Sequence, residues 1–209
     1  MLPVYILYGA PTSGKGTICK QFPSENVISM GQLLRNNHLV QGAEMVSSDT
    51  VNALLKKELI LKQSQSYVVL DGYPRTSEQI KYIKSIPFIE LRRFIHLSCS
   101  DCEVFRRTKL REVCLCGASY MPVLKPAKVD GICDLCGGQL FKREDDDIEK
   151  VTRRLEIYHA QTPKILSAFK DIRLDIDMND NDCFKQACRV LSTSDKNFEF
   201  LLQKEKLHG

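Results

Sequence analysis

The sequence predicts an α/β fold in which a five-stranded parallel sheet is flanked by helices. Three observations carry that expectation. Short apolar runs rich in β-branched and aromatic residues, Val4–Tyr8, Tyr67–Leu70, Phe94–Leu97 and Ile172–Ile176, are separated by longer helix-compatible segments. Buried parallel strands alternate with helices in this way. Next, Gly9-Ala10-Pro11-Thr12-Ser13-Gly14-Lys15 lies between the first run and a helix expected over 17–22. In that context a glycine-rich loop turns its N–H groups onto a polyphosphate. Finally, 209 residues of which 43% are apolar supply one sizeable core, and no run nears the ~18 apolar residues of a membrane span.

Taken in order, Val4–Tyr8 is the first strand and Val27-Ile28 a weaker one ahead of a helix over 29–37. A long helix is expected from Val46 through Leu61, with Ser47 or Ser48 capping its start. Tyr67–Leu70 and Phe94–Leu97 follow as strands, and Asp101 is placed to cap a helix carrying Arg107 and Arg111 on one face. Between Val113 and Phe141 the texture changes: four cysteines, Pro122, Pro126 and several glycines predict a small irregular or antiparallel insert. A helix then runs from near Asp146 towards Ala168 and is bent by Pro163. The last strand is Ile172–Ile176, and an exposed helical tail follows Leu191.

The bulk numbers exclude several classes. A net charge of +4 fits a local site for polyanions better than a surface coated for nucleic acid. Met-Leu-Pro leading directly into a strand leaves no room for a signal peptide. Nine cysteines without such a signal imply a reducing compartment, so cytoplasmic thiols rather than disulfides are expected. The four histidines are scattered and read as core or surface residues.

The chemistry-bearing residues fall into four groups. The loop supplies Gly9, Thr12, Ser13, Gly14, Lys15, Gly16 and Thr17, with Lys15 as a point charge for terminal phosphates. Thr12 carries a Cβ inside the cradle, so a positive φ there would strain the backbone. Asp71-Gly72-Tyr73-Pro74-Arg75-Thr76 follows a strand, so Asp71 faces the ligand crevice, where it can hold a metal-bound water, and Arg75 can grip a phosphate. Ile28-Ser29-Met30-Gly31-Gln32-Leu33-Leu34-Arg35 is a helix start with an arginine one turn in. Arg107 and Arg111 precede the insert, and Arg143, Asp145, Asp146 and Arg154 follow it.

These motifs, in this order, resemble those of the adenylate kinases, nucleoside monophosphate kinases of the long-lid zinc type. The Gly-Lys-Gly-Thr ending of the loop and the Asp-Gly-Tyr-Pro-Arg-Thr hexapeptide carry most of the resemblance. It implies a P-loop NTPase fold with acceptor-binding and lid inserts and the reaction MgATP + AMP ⇌ 2 ADP. The division it implies is core at 1–28, a shortened acceptor arm at 29–52, core at 53–110, lid at 111–145, and core with tail at 146–209. Lys15, Arg75, Arg111, Arg143 and Arg154 would be catalytic. ATP would meet the loop, Arg107, Arg111, Ser119, Tyr120 and Asp180. AMP would meet Met30, Arg35, Gly72, Tyr73, Pro74, Arg75, Gln79, Arg143 and Arg154. Asp71 would hold Mg²⁺ through water, and Asp145 and Asp146 would form the lid hinge. The resemblance also implies a monomer, with ATP, AMP and ADP as its only partners and neither nucleic acid nor membrane.

Cys114-Leu115-Cys116 and Cys133-Asp134-Leu135-Cys136 are spaced as a four-cysteine structural zinc site, the first pair being one residue short of the usual spacing. All four positions are filled by sulfur, so such an ion would be structural. Met30 and Gln32 depart from the family pattern, and the segment from Arg35 to Asp71 is shorter by roughly a helix. Two other readings therefore stay open on the sequence: a kinase for GMP or CMP, and a non-catalytic nucleotide-binding homologue.

Overall fold

The computed structural model describes residues 1–39, 46–122, 125–143, 146–180 and 182–198. The sheet consists of β1 (Leu2–Gly9), β2 (Val27–Ser29), β3 (Val68–Asp71), β4 (Ile89–Ser98) and β7 (Arg173–Asp177), in the spatial order β2-β3-β1-β4-β7. Every pairing is parallel. The central β1 shows why: Tyr5 and Leu7 join one core, while Val4, Ile6 and Tyr8 join the other. Period-two side chains bury both faces only when helices cover both.

On one face lie α1 (Lys15–Cys19), α5 (Asp101–Leu110) and α7 (Cys183–Ser194), which contribute Ile18, Val104 and Leu191 to that core. The other face is covered by α3 (Ser48–Leu61) and α4 (Ser77–Ser85), through Leu55, Leu59, Ile80 and Ile83. The long α6 (Ile148–Ala168) serves both, with Val151 and Leu155 in the first core and Ile165 in the second. Pro163 sits inside α6 without ending it. The short α2 (Met30–Asn36) follows β2.

Several expected boundaries move for local reasons. Helix α1 begins at Lys15 and ends at Cys19, because the following residues close tighter turns, Gln21 N onto Ile18 O and Phe22 N onto Cys19 O, before Pro23. Ser47 caps α3, its hydroxyl accepting from Thr50 N at 3.3 Å. Helix α5 is capped by Ser100, not Asp101; Ser100 is extended and its oxygen accepts from Glu103 N at 3.4 Å. The helix stops at Leu110, so Arg111, with φ −63° and ψ 137°, does not share a helix face with Arg107. Asp147 caps α6, accepting from Glu149 N at 2.9 Å. The insert is antiparallel as expected, with β5 (Glu112–Val113) paired to β6 (Ser119–Tyr120) and further single bridges. Asp145, Asn181 and the tail beyond Phe198 lie outside the described residues. Among the described residues no helix is long and apolar enough to cross a membrane.

Candidate active site

The parallel topology brings the C-terminal ends of β1 and β3 together, where an open α/β sheet forms its crevice. Gly9 ends β1 under tight constraint: a Cβ there would stand 2.6 Å from the Leu97 carbonyl oxygen and 2.7 Å from Ser13 Oγ. Ser13 is fully buried, and Gly14 adopts φ 102°, open to glycine but not to most side chains. Gly16 is exposed beside it, and Thr17 N donates to Gly14 O at 3.0 Å. Lys15 Nζ donates to Gly9 O at 2.7 Å and Ala10 O at 2.6 Å, and lies 3.4 Å from Ser13 Oγ. Burial lowers the Lys15 pKa to about 8; Asp71 opposes the shift, while Arg75 and Arg154 reinforce it. Three cations and one carboxylate are thus close enough to influence one another electrostatically. Asp71 ends β3 and is steadied by Ser29, whose Oγ donates to Asp71 Oδ2 at 3.1 Å.

Thr12 does take a positive φ, 56°. A β-branched residue there carries strain of about 1–3 kcal/mol.

Gly72 has φ 78°, which L side chains rarely adopt, and an Arg75 amino group lies 2.9 Å from where a Cβ would stand. Arg75 Nε donates to Gly72 O at 2.8 Å. Gln79 Oε1 accepts from Arg75 N at 2.7 Å, which fixes the orientation of its amide. Arg35 projects from α2 and donates to Gln32 Oε1 at 3.0 Å, so the glutamine found in place of an acid still steadies the arginine. The Tyr73-Pro74 peptide is cis. Two expected acceptor contacts become supports instead. Met30 is 1% exposed in the core, and Tyr73 is wholly buried with its hydroxyl donating to Asn52 Oδ1 at 2.7 Å and sharing Gln79 O at 3.0 Å.

Around the insert, Arg111 makes a two-pronged ion pair with Asp146, its Nε donating to Oδ2 at 2.9 Å and its amino group to Oδ1. This pair joins the end of α5 to the approach to α6. Arg143 O accepts from Asp146 N at 3.0 Å, and Arg154 sits two turns into α6. Arg107 is 2% exposed and committed elsewhere: Nε meets Glu103 Oε1 at 2.6 Å, and its amino group meets the Met178 carbonyl. It braces the floor of the crevice rather than presenting its guanidinium. Asp180 is exposed ahead of α7, accepting from Asp182 N at 3.1 Å. Ser119 is half-buried on β6, while Tyr120 turns into the core of the insert, its hydroxyl accepting from Asp134 N at 2.8 Å and lying 3.5 Å from Cys133 Sγ. That hydroxyl holds the Cys133 thiol down to about 6. Tyr120 therefore supports the cysteines.

The four expected cysteines converge, with all sulfurs within 4.8 Å of one another. Cys114 and Cys136 are 3.4 Å apart and Cys116 and Cys133 3.6 Å apart. Thiolates about 2.3 Å from a tetrahedral ion lie about 3.8 Å apart, so the donor set fits zinc. The full-length turn closes with Gly137 N on Cys133 O; the shorter one closes with Gly117 N on Cys114 O, one residue tighter. Both glycines have positive φ, 85° at Gly117 and 71° at Gly137. Cys19, Cys99, Cys183 and Cys188 are buried apart from this cluster, and Cys102 is exposed. One contact had no signal in the sequence: Lys20 Nζ donates to Gly117 O at 3.0 Å, tying the end of α1 to the insert.

Transfer between two phosphates needs cations that hold and neutralise them, and metal ions that neutralise developing charge. The fold and this arrangement place the chain among the nucleoside monophosphate kinases. Comparison with known proteins narrows the class. The adenylate kinase profile matches residues 7–174. The chain is 31% identical over 210 residues to an adenylate kinase of Methanosarcina mazei, covering 90% of this chain and 97% of that one. It is 33% identical to one from Caldicellulosiruptor saccharolyticus and 34% identical to one from Symbiobacterium thermophilum, each covering 79% of this chain and 86% of the relative. The chain belongs to the adenylate kinase family.

Proposed function

We propose that the chain transfers the terminal phosphoryl group of MgATP to AMP, reversibly, giving two ADP. The observation that carries this reading is the phosphate loop itself, with Lys15 Nζ held on Gly9 O and Ala10 O at the end of β1 and Asp71 at the same end of the adjoining β3. The acceptor phosphate is already anionic, so no general base is required. The residues need only hold two repelling phosphates in line and neutralise the group in flight. Lys15 and the loop N–H groups take the donor polyphosphate, while Arg35 and Arg75 take the acceptor phosphate. Arg111, Arg143 and Arg154 lie between the insert and the core to neutralise the transferring group. Mg²⁺ would neutralise donor oxygens, with Asp71 holding its water.

The insert would act as a lid that excludes water once closed, and a zinc ion held by Cys114, Cys116, Cys133 and Cys136 would stiffen it. The fixed amide of Gln79, with Oε1 engaged by Arg75 N, offers donor hydrogens to a base acceptor. This favours adenine over guanine, whose N1 is itself a donor.

ADP formation from ATP with AMP, GMP and CMP in turn, on protein whose metal has been quantified, tests the assignment. Turnover with AMP and about one zinc per chain are expected. Activity with CMP or GMP and none with AMP would reassign the substrate. Tight binding of a bisubstrate analogue without turnover would point to a non-catalytic homologue.

A pH dependence follows from Lys15. A bound polyphosphate favours the ammonium form, whereas burial in the free protein favours the neutral amine above about 8. ATP affinity is therefore expected to be flat below pH 8 and to fall above it, by up to about tenfold per pH unit. Calorimetry near pH 8.5 in buffers of different ionisation enthalpy should register proton uptake on binding. Proton release, or none, would remove Lys15 from the donor site.

A further inference from the structure

Thr12 and His38 are the positive-φ residues other than glycine among the described residues. His38 follows α2, where a left-handed residue commonly ends a helix. Thr12 has no such excuse: it lies inside the phosphate loop and is β-branched, the residue type that left-handed backbone least accommodates. Something outside the loop must hold it there.

Its hydroxyl supplies the hold. Thr12 Oγ1 lies 2.7 Å from Pro11 O, 3.1 Å from Val104 O and 3.4 Å from Thr108 Oγ1. Thr108 Oγ1 donates to the same Val104 O at 2.8 Å, and Thr108 is 3% exposed. The single Thr12 hydroxyl proton is shared between the loop's own carbonyl and that of α5, with the Thr108 hydroxyl alongside. Val104 is wholly buried, so the docking point on α5 is rigid. The same helix carries Arg107 next to Thr108 and, past its last residue, leads to Arg111 and the hinge pair.

We propose that Thr12 is a positioning residue for the donor nucleotide. Its hydroxyl, docked on Val104 O and Thr108, keeps the phosphate loop in the open cradle geometry and fixes that loop to the helix that leads into the insert. A glycine at this position would reach the same conformation without strain but would also visit many others. The hydroxyl contacts offset the strain of the threonine and hold the loop in this conformation, so less order has to be imposed when a polyphosphate arrives. The inference rests on the reading of the loop as the donor site.

The test separates donor from acceptor effects. Thr12→Val keeps the β-branch and removes the hydroxyl; it is expected to raise KM for ATP about tenfold, with a clearly smaller rise in KM for AMP. Thr12→Ser restores the hydroxyl and is expected to restore KM for ATP. Thr108→Val should raise KM for ATP by a smaller factor and add little to Thr12→Val, as expected for two members of one contact.

Thr12→Gly releases the strain and so remains folded if the valine variant does not; its KM for ATP is expected to rise about fivefold. An unchanged KM for ATP in both Thr12→Val and Thr12→Gly, or equal rises for ATP and AMP, overturns the proposal. Parent protein that fails to transfer phosphoryl groups overturns the functional assignment instead. Calorimetric ATP affinities of the parent and Thr12→Val then still decide the role of Thr12, an equal Kd counting against it.

Discussion

Lys15→Met is expected to lower kcat by about three orders of magnitude while shifting the melting temperature by only a few degrees. The activity loss follows from removing a pre-positioned charge, since one such stabilising group contributes a factor of about 10²–10³. The small effect on stability follows from two opposing changes. Without the ammonium, the carbonyls of Gly9 and Ala10 lose donors at 2.7 and 2.6 Å, a loss of about 1–3 kcal/mol if they stay dry. Against this, the same burial that lowers the Lys15 pKa to about 8 opposes its charged form at neutral pH, and methionine relieves that cost. Steady-state kinetics with a thermal melt on one preparation checks both. A kcat within tenfold of the parent would mean that Lys15 serves the empty loop only, as its bonds to the loop's own carbonyls allow.

The phosphate loop and Asp71 were legible in the sequence because each motif is local: glycine spacing sets the turn, and an acid directly after a strand must face the crevice. The four cysteines were legible too, since two closely spaced pairs leave their sulfurs little choice but to converge. The residues whose burial the sequence left open share a different property. Whether Met30, Tyr73, Tyr120 and Arg107 face a ligand or a core depends on partners far along the chain, such as Met178 O for Arg107. Arg111 illustrates the same limit, because a spacing of four from Arg107 predicts a shared face only if the helix continues, and here it stops at Leu110. Thr12 was visible as an anomaly, but its docking on Val104, 92 positions away, was not.

Breaking the Arg111–Asp146 pair is expected to have the second large effect, and to split stability from chemistry. Arg111 and Asp146 face each other with side chains only 16% and 4% exposed. Arg111→Met strands a buried carboxylate and is expected to destabilise the chain by about 3–5 kcal/mol. Arg111→Met with Asp146→Leu replaces the pair by apolar groups and should recover most of that loss in chemical denaturation. Turnover should not recover with it: if the guanidinium meets the moving phosphoryl group, as proposed above, both variants are expected to lose about 10²-fold in kcat. Asp146→Asn makes the complementary case, keeping the guanidinium and one acceptor, and is expected to lose stability but less than tenfold in kcat. Recovery of turnover in the double variant would show that Arg111 acts only as a strut of the hinge. Loss of turnover despite restored stability would mean that the pair stores Arg111 against the hinge until a phosphate competes for it.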